Sequence, residues 1–208
     1  MRANRDPLPF LRRAMKFPRE VEIKLKVADA RSLKKRLNEC GFAVVERRHF
    51  ESNTVFDFCD SRLRRSSSLL RLRTESSRHI LTFKGPPRAS RTYKIRTELE
   101  TEVRDVAIQQ IFQALGLQPI FRYEKFRTVY AEKHRGKAGT APLLVYDETP
   151  IGHFIELEGS ARWIDRVARR LGYLKRDYIT ASYAALYLDY CKKNRVKPRN
   201  MVFAADKS

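Results

Sequence analysis

From Arg19 to Val27 charged and apolar residues alternate without a break, with Glu20, Glu22 and Lys24 on one side and Val21, Ile23, Leu25 and Val27 on the other. A period of two is that of a β-strand with one polar and one apolar face. Buried charge is costly unless it is paired or bound to ions, so such a face is either solvated or holds a ligand. The pattern recurs along the chain. Phe42 to Phe58 reads as a long strand, followed by a polar turn at Asp60 to Arg65. Ser68 to Glu75 and His79 to Lys84 form a predicted hairpin joined at Ser76-Ser77, which Gly85-Pro86-Pro87 ends because prolines cannot continue a hydrogen-bonded ladder. Thr92 to Val103, Pro119 to Glu132, Leu143 to Glu148 and His153 to Glu158 are the remaining strands.

Between them the period changes to that of helices. Asp29 is placed to cap a helix with the stripe Ala30, Leu33, Leu37 and Cys40, which Gly41 ends. Asp105 opens a second, with Ile108, Ile111, Phe112 and Leu115 as its stripe. Ser160 caps a third with Ile164, Val167, Ala168 and Leu171, and Thr180 opens a last one with Tyr183, Leu186, Tyr187 and Tyr190. About eight strands, mostly joined as hairpins and interspersed with helices, predict an α+β protein whose antiparallel sheet closes on itself with helices outside.

Composition narrows the chemistry. The 208 residues suit a single core, and no apolar run approaches a membrane span. Asp6, Pro7 and Pro9 interrupt the first residues, which makes them a poor signal peptide. Cys40, Cys59 and Cys191 are far apart, with no disulfide framework or zinc spacing, so a reducing cytoplasm is expected. The formal net charge of +20 favours polyanionic partners. Residues 1–19 and 191–208 each carry six Lys/Arg against one acid, half of that excess. The chain therefore divides into a basic N-terminal tail (1–18), one domain (19–190) and a basic C-terminal tail (191–208), both tails solvated and able to touch nucleic acid or polyphosphate.

The charged strand faces collect acids at Glu20, Glu22, Glu98, Glu100, Asp147, Glu156 and Glu158, and bases at Lys24, Arg71, Arg73, Lys84, Arg96, Lys125 and Arg127. Most are i, i+2 pairs, which share a side of a strand. Exposed Glu/Lys faces are common in antiparallel sheets, but five such strands with apolar reverse faces point to a polar lumen inside a small barrel. Clustered carboxylates take hard cations such as Mg²⁺ or Mn²⁺, and clustered Arg and Lys take phosphate. A chain of phosphates with metal ions satisfies both, which implies phosphoryl or nucleotidyl transfer. Arg135 to Thr140 lacks the order of a phosphate-binding loop and reads as a hairpin loop.

Glu20-Val-Glu-Ile-Lys24 resembles the ExExK signature of the CYTH superfamily, the triphosphate tunnel metalloenzymes. The likeness continues in order through Leu70-Arg-Leu-Arg73, Leu81 to Pro86, Arg96 to Glu100, Lys125-Phe-Arg127, Asp147, Phe154 to Glu158 and Ser182-Tyr183. The resemblance implies an eight-stranded antiparallel tunnel in which Lys24, Arg71, Arg73, Lys84, Arg96, Lys125 and Arg127 grip a triphosphate. It further implies that Glu156 and Glu158, with Asp147 and Glu98 or Glu100, hold one metal ion, and that Glu20 and Glu22 hold a second that positions the attacking water. A further lysine is expected late in the chain, with Lys175 and Lys192 as candidates. Class IV adenylyl cyclases of this superfamily commonly carry a His-Phe pair shortly before ExExK, and residues 11–18 have no histidine. Hydrolysis of an inorganic, thiamine or nucleoside triphosphate is therefore expected first. The alternatives are conversion of ATP to cyclic AMP and pyrophosphate, and non-catalytic binding of polyphosphate or nucleic acid.

Overall fold

The computed structural model describes residues 18–90, 92–104, 107–133 and 142–204; the N-terminal tail before Pro18, the loop at 135–140 and the expected helix start at Asp105 lie outside them. Eight strands, β1 (Arg19–Val27), β2 (Phe42–Phe58), β3 (Leu69–Glu75), β4 (Arg78–Lys84), β5 (Lys94–Val103), β6 (Leu117–Glu132), β7 (Leu143–Thr149) and β8 (Gly152–Glu158), form a closed barrel. Its order is β1-β5-β4-β3-β2-β6-β7-β8, and every pair is antiparallel. The α+β barrel with outer helices expected from the alternation is the one observed.

Register sends the charged side of each strand inward. Glu20 lies opposite Arg96, Lys24 opposite Glu156, Glu98 opposite Lys84, Lys125 opposite Glu51 and Arg127 opposite Asp147. The apolar side therefore faces out, and the main core lies outside the barrel. Ile23, Leu25, Ile155 and Leu157, all fully buried, pack beneath Leu33 and Leu37 of α1 (Ala30–Glu39) and Ile164, Val167 and Leu171 of α4 (Ala161–Arg170). Both helices start where a polar side chain takes their free N–H groups: Asp29 accepts from Arg31 and Ser32, and Ser160 from Trp163. Gly172 ends α4 at φ +84, and a Cβ there would lie 2.8 Å from the guanidinium of Arg36, which itself donates to the carbonyl of Leu171.

Three local readings change. The polar turn after β2 contains a short helix, α2 (Arg62–Arg65), because the Asp57 carboxylate accepts from the N–H groups of Leu63 and Arg64. Phe112 of α3 (Ile108–Ala114) covers Phe56, Leu72 and Leu117, a second outer cluster. The last helix, α5 (Tyr183–Asn194), starts three residues beyond Thr180, since Ser182 rather than Thr180 caps it. The segment that follows is not wholly solvated. Cys191 is buried, and Met201, 1 % exposed, bridges to Tyr123 and joins Val55, Phe154 and Tyr183 in an apolar group under one end of the barrel. Among the described residues no helix is long and apolar enough to cross a membrane.

This architecture predicts where truncation hurts. Ile164→Ala, in the layer between α4 and the barrel, is expected to lower stability by about 2–5 kcal/mol. Leu115→Ala, at a position 64 % exposed, is expected to cost under about 0.5 kcal/mol. Urea unfolding midpoints of the two variants check the contrast.

Candidate active site

The inward faces enclose a cavity of about 1230 Å³. It opens past Arg78 and Leu143, both exposed, and ends at Tyr183, which lies over the apolar group beneath the barrel. All seven bases expected to bind substrate line it: Lys24, Arg71, Arg73, Lys84, Arg96, Lys125 and Arg127. So do Glu20, Glu22, Glu98, Glu100, Glu156 and Glu158.

On the wall made by β1, β4, β5 and β8, lysines stand among the acids. Lys24 Nζ lies 3.0 Å from Glu156 and 3.5 Å from Glu22. Lys84 Nζ lies 2.8 Å from both oxygens of Glu20 and 3.1 Å from Glu98, and Lys94 donates to Glu22 at 2.7 Å. Lys24 stands between Glu22 and Glu156, whereas Glu20 and Glu98 share Lys84 and lie within hydrogen-bond reach of one another. Burial raises the Glu158 carboxyl to about 7, helped by Glu98 and opposed by Lys84. Burial also raises Glu20, together with the charge of Glu22. Glu22 moves the other way, because Lys24 and Lys94 outweigh its burial. Glu98 and Glu156 also move down, held by Lys84 and by Lys24 respectively, so Glu20 and Glu158 favour a proton beside three acids that stay ionised. Every donor on it is a carboxylate oxygen, a set that suits a hard divalent cation.

Asp147, expected among the metal ligands, is placed differently. It is fully buried behind the lining, and its oxygens are already engaged by Arg127 at 2.8 and 2.7 Å, Lys125 at 2.9 Å and the Tyr183 hydroxyl at 2.8 Å. Those contacts fix the two bases; three of the four fall on Oδ2, and Oδ1 accepts only from Arg127. The Tyr183 ring also faces Lys24 and Lys125, 5.2 and 5.4 Å from its centroid. Glu100 accepts from Thr82 at 3.0 Å and Arg73 at 3.4 Å, on the β3–β4–β5 side.

Across the barrel from β1, His49, Glu51 and Glu75 bring three ligand atoms within 4.8 Å of one another, a set able to coordinate a divalent cation. The charged-face reading missed all three. The signal was present: counting alternate residues from the outward Phe42 puts His49, Glu51 and Asn53 on the lumenal side, because the two register shifts between Val44 and His49 cancel, and Glu75 follows Arg71 and Arg73 at the same period; the unbroken polar run from Glu46 to His49 masks it. Lys94 and Tyr183 were visible in the alternation and helix stripe but had no assigned role. Asn53, also inward on β2, is fully buried with neither side-chain amide atom hydrogen-bonded among the described residues. The same holds for Nε of Arg71, Arg73 and Arg96. Unpaired guanidinium N–H groups lining a basic lumen are donors for an anion.

Comparison with known proteins agrees with this construction. The CYTH domain matches residues 18–183. A Methanocaldococcus jannaschii protein provisionally named an adenylate cyclase is 30 % identical over 142 residues, which cover 68 % of this chain and 77 % of that one. A Pyrococcus horikoshii structure superposes with TM-score 0.67 at 22 % identity, over 82 % of this chain and 99 % of that one. A Hippeastrum protein, provisionally named an adenylyl cyclase and described as having a dominant triphosphatase activity, gives 0.54 at 17 % identity, over 86 % and 97 %. The inward ExExK strand, the seven lumenal bases and the match across residues 18–183 lead to one conclusion: the chain belongs to the CYTH family.

Proposed function

We propose that the chain hydrolyses a triphosphate inside the barrel with Mg²⁺ or Mn²⁺ as the cofactor. The observation that carries this reading is the convergence of seven bases on one cavity whose opposite walls are acidic. A linear triphosphate lies along the bases, and its oxygens take the N–H groups of Arg71, Arg73 and Arg96 that have no partner. Lys24, Lys84 and Lys94 transfer from carboxylate to phosphate as the anion enters. That exchange releases Glu20, Glu22, Glu98 and Glu156, which with Glu158 are the residues that would hold metal. The metal supplies neutralisation of phosphate charge and a more acidic bound water. Asp147 and Tyr183 act as positioning groups, keeping Lys125 and Arg127 aimed into the lumen.

Cyclisation of ATP is the second reading, favoured by the provisional name of the 30 % identical relative. Hydrolysis stands first because the lumen is lined mainly by charged groups suited to phosphates and metal, and because the Hippeastrum protein of the same fold is described as dominantly a triphosphatase. Three free cysteines fit the reducing cytoplasm in which we place the protein.

Purified protein offered tripolyphosphate, ATP and thiamine triphosphate with each metal should release orthophosphate from at least one of them. Glu20→Gln with Glu22→Gln should keep the circular dichroism spectrum and lower turnover at least about a hundredfold. Cyclic AMP with pyrophosphate as the main products would move the assignment to the cyclase, and unchanged turnover in the double variant would sink the metal roles of these acids.

The raised Glu158 gives a pH test of the metal-free protein. Its folded form keeps a proton that the unfolded chain releases near 4.5, so stability falls as pH rises from 4.5 through about 7. Thermal melts should show this decline, Glu158→Gln should reduce it, and excess Mg²⁺ at pH 8 should restore the midpoint.

A further inference from the structure

We propose that His49, Glu51 and Glu75 form a separate cation site, on the wall opposite Glu20 and Glu22, which takes a divalent transition ion only when a polyphosphate draws Arg73 away. The proposal rests on the triphosphate reading for the identity of the anion, and on the geometry of β2 and β3 for the site itself.

Three features make these residues more than an acidic cluster. The first is the imidazole. His49 Nδ1 lies 3.0 Å from the carbonyl oxygen of Arg47, which can only accept, so Nδ1 carries a hydrogen and Nε2 is the nitrogen turned toward the carboxylates, where an ion would replace its proton. The second is spacing. Nε2 lies 3.5 Å from Glu51 Oε1 and 3.9 Å from Glu75 Oε2. Ligands bound at about 2.0–2.2 Å around a tetrahedral ion lie roughly 3.4 Å apart, so small adjustments suffice. The third is Glu51 itself, fully buried, with both carboxylate oxygens lacking a hydrogen bond among the described residues. A buried carboxylate surrounded by cations yet bonded to none is held by charge alone.

Arg73 occupies the approach. Its guanidinium lies 3.6 Å from Glu51, 3.6 Å from Glu75 and 3.4 Å from Glu100, three long contacts and no short one. Lys125 and Arg127 also neighbour Glu51, at 3.4 and 3.6 Å, but Asp147 fixes both from behind. Arg73 is therefore the loosely held cation of the group. A phosphate in the lumen offers it a better, bidentate partner, and its departure leaves two carboxylates and an imidazole with one positive charge fewer. A nitrogen ligand favours Mn²⁺, Co²⁺ or Zn²⁺ over Mg²⁺. Linkage requires that the ion tighten anion binding by the same factor as the anion tightens the ion's.

Mn²⁺ titration followed by electron paramagnetic resonance tests this with the bis-methylene analogue of triphosphate, which the protein cannot hydrolyse. With the analogue, the wild type should bind one more Mn²⁺ than His49→Ala or Glu75→Gln. Without it, the affinity for that ion should be at least about tenfold weaker in the wild type, and Arg73→Gln should recover it. Equal stoichiometry in wild type, His49→Ala and Glu75→Gln overturns the site, and so does an Arg73→Gln protein that gains no ion. Failure of the analogue to bind would sink the triphosphate reading, while the Arg73→Gln titration still decides the cation site.

Discussion

Charge balance inside a closed barrel is the constraint on which the rest of this structure depends. An apolar lumen would need only packing, but here the inward faces carry Glu, Lys and Arg, and an unpaired buried charge is far more costly than an unfilled gap. The register answers that cost residue by residue, setting Lys24 against Glu156 and Glu22, Lys84 against Glu20 and Glu98, and Arg127 against Asp147 and Glu156. A shift of one residue in any strand would turn its charges into the outer core and its Ile, Leu and Val residues into the lumen. The hydrophobic layer under α1 and α4 thus fixes which side is in, and the ion pairs fix how far each strand slides.

Much of this was legible because both constraints write themselves at period two. Val21, Ile23, Leu25 and Val27 had to face a common layer, and Glu20, Glu22 and Lys24 then had to face a common lumen. Helix starts were readable where one side chain makes the cap, as at Asp29 and Ser160. What escaped was set by tertiary contact. Asp57 nucleates α2 by reaching forward to Leu63 and Arg64, and Met201 is drawn under the barrel by the edge of β6. Neither contact has a period. His49 and Glu51 were hidden for a different reason: they keep the period of β2, whose two register shifts cancel, but the consecutive polar residues from Glu46 to His49 give no visible alternation.

Asp147 shows what depth adds to residue type. An acid on an inward strand among bases and other acids has the chemistry of a metal ligand, and its burial adds a second job, since it accepts from Lys125, Arg127 and Tyr183 and so holds two lumenal bases in place. Its Oδ2 takes three of those bonds and its Oδ1 only one, whereas Glu158, partly exposed and raised toward 7 by burial, has no ion pair among the described residues.

The two acidic walls differ in how they meet an incoming anion. On the β1 side, Lys24, Lys84 and Lys94 are held to the carboxylates by short charge-assisted hydrogen bonds, which the proposed phosphate would have to break before the acids are exposed. On the β2 side, Arg73 reaches Glu51 and Glu75 only through long contacts, and its exchange onto phosphate costs little. If the lumen takes a triphosphate as proposed, the open end past Arg78 brings the anion in beside Glu75 and to the β3 arginines before Lys24. Arg73 is then the first base placed to release its acids, and the deeper lysines follow toward Tyr183.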